Sequence, residues 1–544
     1  MRIRKGLQAA INCGFCEIQS SLGKEAFQVK HSTRSRRERQ RPSPRPVKRH
    51  QNQLLLWPGR DGPVFGNRQV RLKVQQRGEI TSYGGLSLAH DLAMRLGIDR
   101  DINRSVPVLK LHMPYMESDH LLTHAYNQYV GGSCIEDIGN LQHSDAVKHL
   151  LGACRIPDPT TAGDFLRRLG RSELRALQKV IDRARVKVWR KMPHSRKKVA
   201  TIDMDSTLKR VYGECKAGAD FSHDGRWSYH PLLLSLAETQ EVLRTINRSG
   251  NTFSAVGAAG ALTEILPMVA EHFRRVYVRG DSAFFQKPIM AECIKAKAGF
   301  ALVMDSCQTL REKAESLPES AWKPFSAHRA ERVARRAAGC RVRRKRPRLR
   351  RRIARQRGYK TLTTTRQWVA QFDYRLSCGL ESYGVVGRTF RVVVKRQRIE
   401  TTQGQEHLFT EYVYRFVISN IPRQEMNASE LLCFAYGRCD QENIIEQFKN
   451  GLAAMRMPTG ELLANDAFLM AGQLAWGLRA WLSLLALPQE TLRWEWKWFR
   501  QAFVYIAAKI TSHARRAVVH LAGSHRFVEH LLIASQRLRT FEFT

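Results

Sequence analysis

Apolar residues in the first third of the chain recur at helical spacing. Leu86, Leu88, Leu92 and Leu96 do so, and Gly97 is placed to end that helix. Leu121, Leu122, Ala125 and Tyr126 keep the same period. Pro157-Asp158-Pro159-Thr160-Thr161 interrupts it before another amphipathic run over 162–169. The period then shortens. Val199-Ala200-Thr201-Ile202-Asp203-Met204-Asp205-Ser206-Thr207 reads as an apolar strand, with strands over 231–236 and 242–246 behind it. A helix is predicted over 262–273. Val276-Tyr277-Val278-Arg279-Gly280-Asp281-Ser282 and residues 300–304 are strands again. Consecutive strands, a helix and more strands predict an α/β sheet.

This pattern divides the chain. Residues 1–75 lack apolar periodicity and hold the Pro-rich, charged stretch 32–50, so they read as a basic, flexible extension. Residues 76–195 read as a helical N-terminal domain and 196–305 as the first part of an α/β core. Residues 306–428 read as a mainly β insertion, with strands over 390–394 and 414–418. Residues 429–490 are helical and complete the core, and 491–544 read as a basic, helical C-terminal region. The run 467–487 is long enough to span a bilayer. Gln473 and Arg479 interrupt it, and its aromatic residues suit packing, so it reads as a buried helix with no membrane partner.

Charge narrows the partner. Lys and Arg number 90 against 49 acids, a net charge of +41, which points to a polyanion and first of all to nucleic acid. The densest stretch, 329–360, holds 16 Lys or Arg in 32 positions. The 11 cysteines are scattered, which fits a reducing compartment better than a disulfide framework. Cys13-Gly14-Phe15-Cys16 has no second pair to complete a zinc site, and the basic N-terminus is not followed by the apolar core of a signal peptide.

Against that charge, acids inside apolar strands stand out. Alternation puts Thr201, Asp203 and Asp205 on one strand face. Asp281 ends the second strand. An aspartate in such surroundings is costly unless compensated, and a hard divalent cation compensates it through carboxylate oxygens. Downstream, Arg438, Glu442, Glu446 and Lys449 fall four, four and three residues apart, on one face of a predicted helix. Carboxylates converging from separate elements can hold two metal ions for in-line displacement at a phosphodiester.

These residues resemble the DDE transposases of bacterial insertion sequences, nearest the group numbered thirteen-eighty, a relative of the insertion-sequence-four clan. Asp205-Ser206-Thr207 looks like that clan's first catalytic motif, and Arg279-Gly280-Asp281-Ser282 like the second. Arg438, Glu442 and Lys449 match the gaps of its Tyr, Arg, Glu, Lys signature. Tyr436 stands one residue nearer Arg438 than the clan's tyrosine does. Residues 225–233, with Tyr229-His230-Pro231-Leu232, and Thr81-Ser82-Tyr83-Gly84-Gly85-Leu86 also look like recurring segments of the group.

The resemblance implies an RNase H-like core interrupted by a β-rich insertion, with DNA-binding by the helical N-terminal domain. It implies DNA cleavage and strand transfer with two Mg²⁺ ions, Mn²⁺ substituting. Asp205, Asp281 and Glu442 would be the catalytic metal ligands, preferred over Asp203 and Glu446 by motif and spacing. Arg438, Lys449 and Tyr436 would contact DNA. The implied partners are double-stranded DNA, as terminal inverted repeats and target, and further copies of the chain on paired ends, in the cytoplasm of a bacterium. The other readings are a nuclease without strand transfer and a transposase-derived DNA-binding protein.

Overall fold

Strand Val199–Ser206 (β1) lies inside the main sheet, and Ala200, Ile202 and Met204 on one of its faces are fully buried. The computed structural model describes residues 79–325, 363–376, 387–402, 405–513 and 516–543. All of them belong to one compact unit, Gln75–Thr544. On one side β1 pairs antiparallel with Leu232–Leu236 (β2), which pairs with Glu241–Ile246 (β3). On the other side it runs parallel to Arg275–Gly280 (β4), and β4 runs parallel to Gly299–Met304 (β5). All five residues of β2 are buried, as expected of an apolar run covered on both faces. Helices Ala258–His272 and Lys287–Lys295 precede β4 and β5 in the chain and make the parallel returns possible.

The segment expected to be a β insertion does not stand apart. Lys323–Pro324 (β6), Thr363–Arg375 (β7), Thr389–Thr402 (β8) and Gln405–Ser419 (β9) extend the same mixed sheet, in the order β6-β7-β8-β9-β5-β4-β1-β2-β3. The join is the antiparallel pairing of β9 with β5, Val417 opposite Val303. Val303, Val393 and Val417 pack in one cluster under helix Ala428–Tyr436, so apolar side chains cover the junction from one face. The expected strand at 390–394 is the beginning of β8 and that at 414–418 the end of β9, and β7 was not expected. The basic run 329–360 lies outside the described residues, as do residues 1–75.

The helical N-terminal part forms as its periodicity predicts. Helix Leu86–Leu96 buries Leu86, Leu88, Leu92 and Leu96 and ends at Gly97, whose φ of 71° only glycine adopts readily. The Pro-Asp-Pro break caps helix Pro159–Arg168: the Asp158 side chain accepts a hydrogen bond from the Thr161 amide at 3.0 Å. Helix Leu462–Leu485 carries the apolar run once weighed as a span. It packs on helices Glu117–Val130 and Arg171–Lys191 and on β3. Its polar residues are spent inside the protein. Gln473 donates to the Leu243 carbonyl at 3.0 Å, and Arg479 donates to the Trp494 carbonyl and lies 5.0 Å from the Trp496 ring centroid. Among the described residues no helix is long and apolar enough to cross a membrane.

The expected all-helical C-terminal region is corrected. Helices Trp496–Phe503 and Val528–Arg539 flank a hairpin of Ala508–His513 and Arg516–Leu521, and Glu79–Thr81 adds a third strand to it. Ala508 and Ile510 are buried while Lys509 alternates with them, a period-2 pattern hidden in a short, charged stretch.

Candidate active site at the ends of the central strands

The parallel register of β1 and β4 sets Asp203 opposite Arg279, so Asp281, two residues on, follows the strand end beside Asp205. The two aspartates of β1 have different surroundings. Asp203 is fully buried, and both its oxygens accept from Arg279, at 2.6 Å from Nε and 2.7 Å from Nη2. Arg279 is itself fixed: it donates to the Phe434 carbonyl at 2.9 Å and stacks over the Phe434 ring. Asp203 is therefore committed to an internal ion pair. Asp205 is one-fifth exposed, and its Oδ2 lies 3.2 Å from Nη2 of Arg438, which also donates to the Met204 carbonyl.

Asp281 caps the short turn Ser282–Phe284, accepting from the Ala283 amide at 3.0 Å through Oδ1. The glycine before it is required by space. A Cβ on Gly280 would stand 2.7 Å from Cβ of Phe284 and 3.2 Å from Leu302 and Met204. That close packing is what the Arg-Gly-Asp-Ser motif encodes locally.

Glu442 lies in the first turn of helix Cys439–Glu446, for which Arg438 is the N-cap residue. The helix continues into a π-helical turn, Gln447–Gly451, which carries Lys449. Glu442 and Glu446 are both exposed. Glu446 accepts from Asn450 at 2.7 Å, and Lys449 donates to the Leu208 carbonyl at 3.2 Å, just beyond β1. Tyr436 ends helix Ala428–Tyr436, 37% exposed, with Arg415 of β9 beside it.

Electrostatics ties three of these acids together. The Asp205 carboxyl is pushed up to about 6, first by burial; Asp281 and Glu442 push it further, while Arg438 and the Ser206 amide pull it back. Asp205 thus feels both other members of the trio. Among the described residues, no three His, Cys, Asp or Glu side chains are drawn tightly enough together to hold a metal ion as they stand. Oδ2 of Asp281 and both carboxylate oxygens of Glu442 have no hydrogen-bond partner among the described residues. Together with Asp205 they make a hard, all-oxygen donor set that suits Mg²⁺, with Arg438 against one of the oxygens.

Sequence reasoning missed Gln441. It is fully buried, accepts from the Ser235 hydroxyl and donates to the Leu233 carbonyl at 3.5 Å, so it fastens the Glu442 helix to β2. Ser235 and Leu233 are the register partners of Asp203 and Asp205. The one available signal was a glutamine on the apolar side of that helix.

Residues 63–542 match the family described as Transposase DDE domain group 1. The chain belongs to that family, and it is a DDE transposase by family. One solved structure, the cryo-EM structure of piggyBac transposase synaptic complex with hairpin DNA, is similar at 9% identity over 77% of this chain and 84% of that one, with a TM-score of 0.29. A likeness at that score bears no weight. No curated protein matches the chain.

Proposed function

We propose that this chain binds the ends of a mobile DNA element, cuts them and joins the freed strands to target DNA, with Asp205, Asp281 and Glu442 as the catalytic acids. The observation that carries the reading is the electrostatic coupling of Asp205 to both other acids at the ends of two parallel central strands. An antiparallel trio of strands continued by two parallel ones supports an RNase H-like core. The motif spacing supports the thirteen-eighty group and with it a bacterial insertion sequence. The net charge of +41 supports double-stranded DNA as partner, and paired DNA ends imply at least a dimer.

Asp205, Asp281 and Glu442 would hold two Mg²⁺ ions, which when bound supply activation of the attacking oxygen and charge for the leaving oxygen. The remaining work falls to the chain. Asp203 and Arg279 fix the strand ends from beneath. Arg438 and Lys449 neutralise phosphate near the scissile bond, and Tyr436 contacts the DNA. Gln441 holds the turn that aims Glu442.

The test uses the DNA flanking the coding region. Purified chain with Mg²⁺ nicks inverted-repeat ends and yields joined strands, and Asp281→Asn abolishes both while DNA binding survives. Cutting retained by that variant would sink the catalytic assignment. Free ends without joined strands would leave a nuclease, and binding without cutting a transposase-derived DNA-binding protein.

A further inference from the structure

Beyond the acidic trio, one cationic cluster is built into the same end of the sheet. Lys449 reaches back from the Glu442 helix to the Leu208 carbonyl at 3.2 Å, next to Lys209. Lys209 is half-buried and starts a small antiparallel sheet, opposite Tyr229. The loop that follows Lys449 in the chain, 453–460, is tied to the segment that follows Lys209. Lys216 donates to the carbonyls of Met457 at 2.7 Å and Thr459 at 2.6 Å, and Ala217 donates to the Gly460 carbonyl at 2.8 Å. That loop exposes Arg456. Two non-glycine residues in the left-handed region bracket it, Ala453 at φ 62° and Met457 at φ 52°, both buried.

Like charges held together need a reason. Burial first, then the charges of Arg456 and Lys449, hold the Lys209 ammonium below the usual lysine range. None of the three cations forms an ion pair with an acid among the described residues. A bound anion would relieve the repulsion, and a phosphodiester backbone is the anion that suits a chain of this charge.

We propose that Lys209, Lys449 and Arg456 form one phosphate-binding site for the DNA backbone, on the strand that enters the acidic trio. Lys209 and Arg456 thereby join Lys449 as DNA contacts. The assignment of the entering strand rests on the proposed function; the phosphate contact itself does not.

The experiment measures binding of a 30-base-pair duplex of arbitrary sequence by fluorescence anisotropy over a KCl series, using the full chain. Each phosphate contact contributes about 0.9 to the slope of log affinity against log salt. Lys209→Ala and Arg456→Ala each lower that slope by about 0.9, their combination by about 1.8, and Lys209→Arg with Arg456→Lys restores it. Lys295→Ala, exposed in the last turn of helix Lys287–Lys295, leaves it unchanged. The duplex carries no element end and the buffer no divalent metal, so the slope is read without cutting and failure of the catalytic reading leaves this one standing. An unchanged slope in Lys209→Ala and Arg456→Ala, with native melting curves, overturns the proposal. So does an equal loss in Lys295→Ala.

Discussion

Asp203 and Asp205 lie two residues apart on one strand, yet asparagine should do opposite things to them. Asp203 is buried under Arg279, whose guanidinium is 6% exposed and gives it two hydrogen bonds of 2.6 and 2.7 Å. Asp203→Asn removes the charge and turns one acceptor into a donor facing a donor. Arg279 then keeps one hydrogen bond to the remaining carbonyl oxygen, with the Phe434 carbonyl and ring, and its charge is left unpaired. Breaking a buried pair from one side costs about 3–5 kcal/mol. One lost charge-assisted hydrogen bond, about 1.5–3 kcal/mol, plus a guanidinium left buried and unpaired is consistent with that range. That is a large part of the ~5–15 kcal/mol by which domains are stable. Asp205→Asn breaks one contact at a partly exposed site that already carries unfavourable charge, so it should leave stability within about 1 kcal/mol at neutral pH or raise it. The assay is equilibrium urea unfolding followed by tryptophan fluorescence, with DNA cutting measured on the folded protein. Asp203→Asn with Arg279→Met should recover much of the loss, because removing both charges removes the orphan. The reasoning fails if Asp203→Asn unfolds like the parent and cannot cut, for then Asp203 carries the chemistry.

Three further outcomes follow from the same contacts. The Asp205 carboxyl rises from its ordinary 3.8 to about 6, so the native state binds that proton more tightly than the unfolded one. Stability should therefore fall by up to about 3 kcal/mol as pH rises from about 4 to 6, and Asp205→Asn should flatten that part of a thermal-shift curve measured without metal. Gln441→Leu orphans the Ser235 hydroxyl and should cost about 1–3 kcal/mol. Adding Ser235→Ala should return the stability but not the cutting rate, since Glu442 stays unfastened. Glu241 is buried and accepts from Arg185 at 3.1 Å and from the indoles of Trp189 and Trp481 at 2.8 Å each. Glu241→Gln should destabilise by about 3 kcal/mol in urea while leaving the cutting rate of folded protein unchanged.

What could be read in the sequence was what period and motif spacing encode. The leucines at 86, 88, 92 and 96 announced their helix, and the apolar runs leading to Asp205 and Asp281 announced two neighbouring strands of the sheet. Three things resisted reading. The continuity of β5 with β9 is a pairing between segments more than a hundred residues apart, which no local pattern carries. The C-terminal hairpin was hidden because Arg, Lys and His share a strand with its apolar residues. The roles of Asp203 and Gln441 depend on partners supplied by other elements, Arg279 and Ser235. The motif preferred Asp205 over Asp203, and the Arg279 pair supplies a physical reason for that preference.

Burial alone does not separate the acids that build this fold from those proposed to work in it. Glu241 and Asp203 are fully buried, and each is matched by donors from arginine or tryptophan. Asp205, Asp281 and Glu442 are more open, and one arginine contact, Arg438 on Asp205, stands against the trio. In a chain with 90 Lys and Arg, further arginines could have been spent there. Burying the Asp205 carboxylate with so little compensation costs stability, as its raised proton affinity records. Such a cost persists at a site whose missing positive charge comes from outside the chain. The cations of the neighbouring cluster obey the same logic with the sign reversed. Lys209, Lys449 and Arg456 crowd one another with no acid among the described residues to pair them. Unbalanced acids beside unbalanced bases leave room for a cation and a phosphate at adjacent positions, which are the two charges a phosphodiester reaction brings.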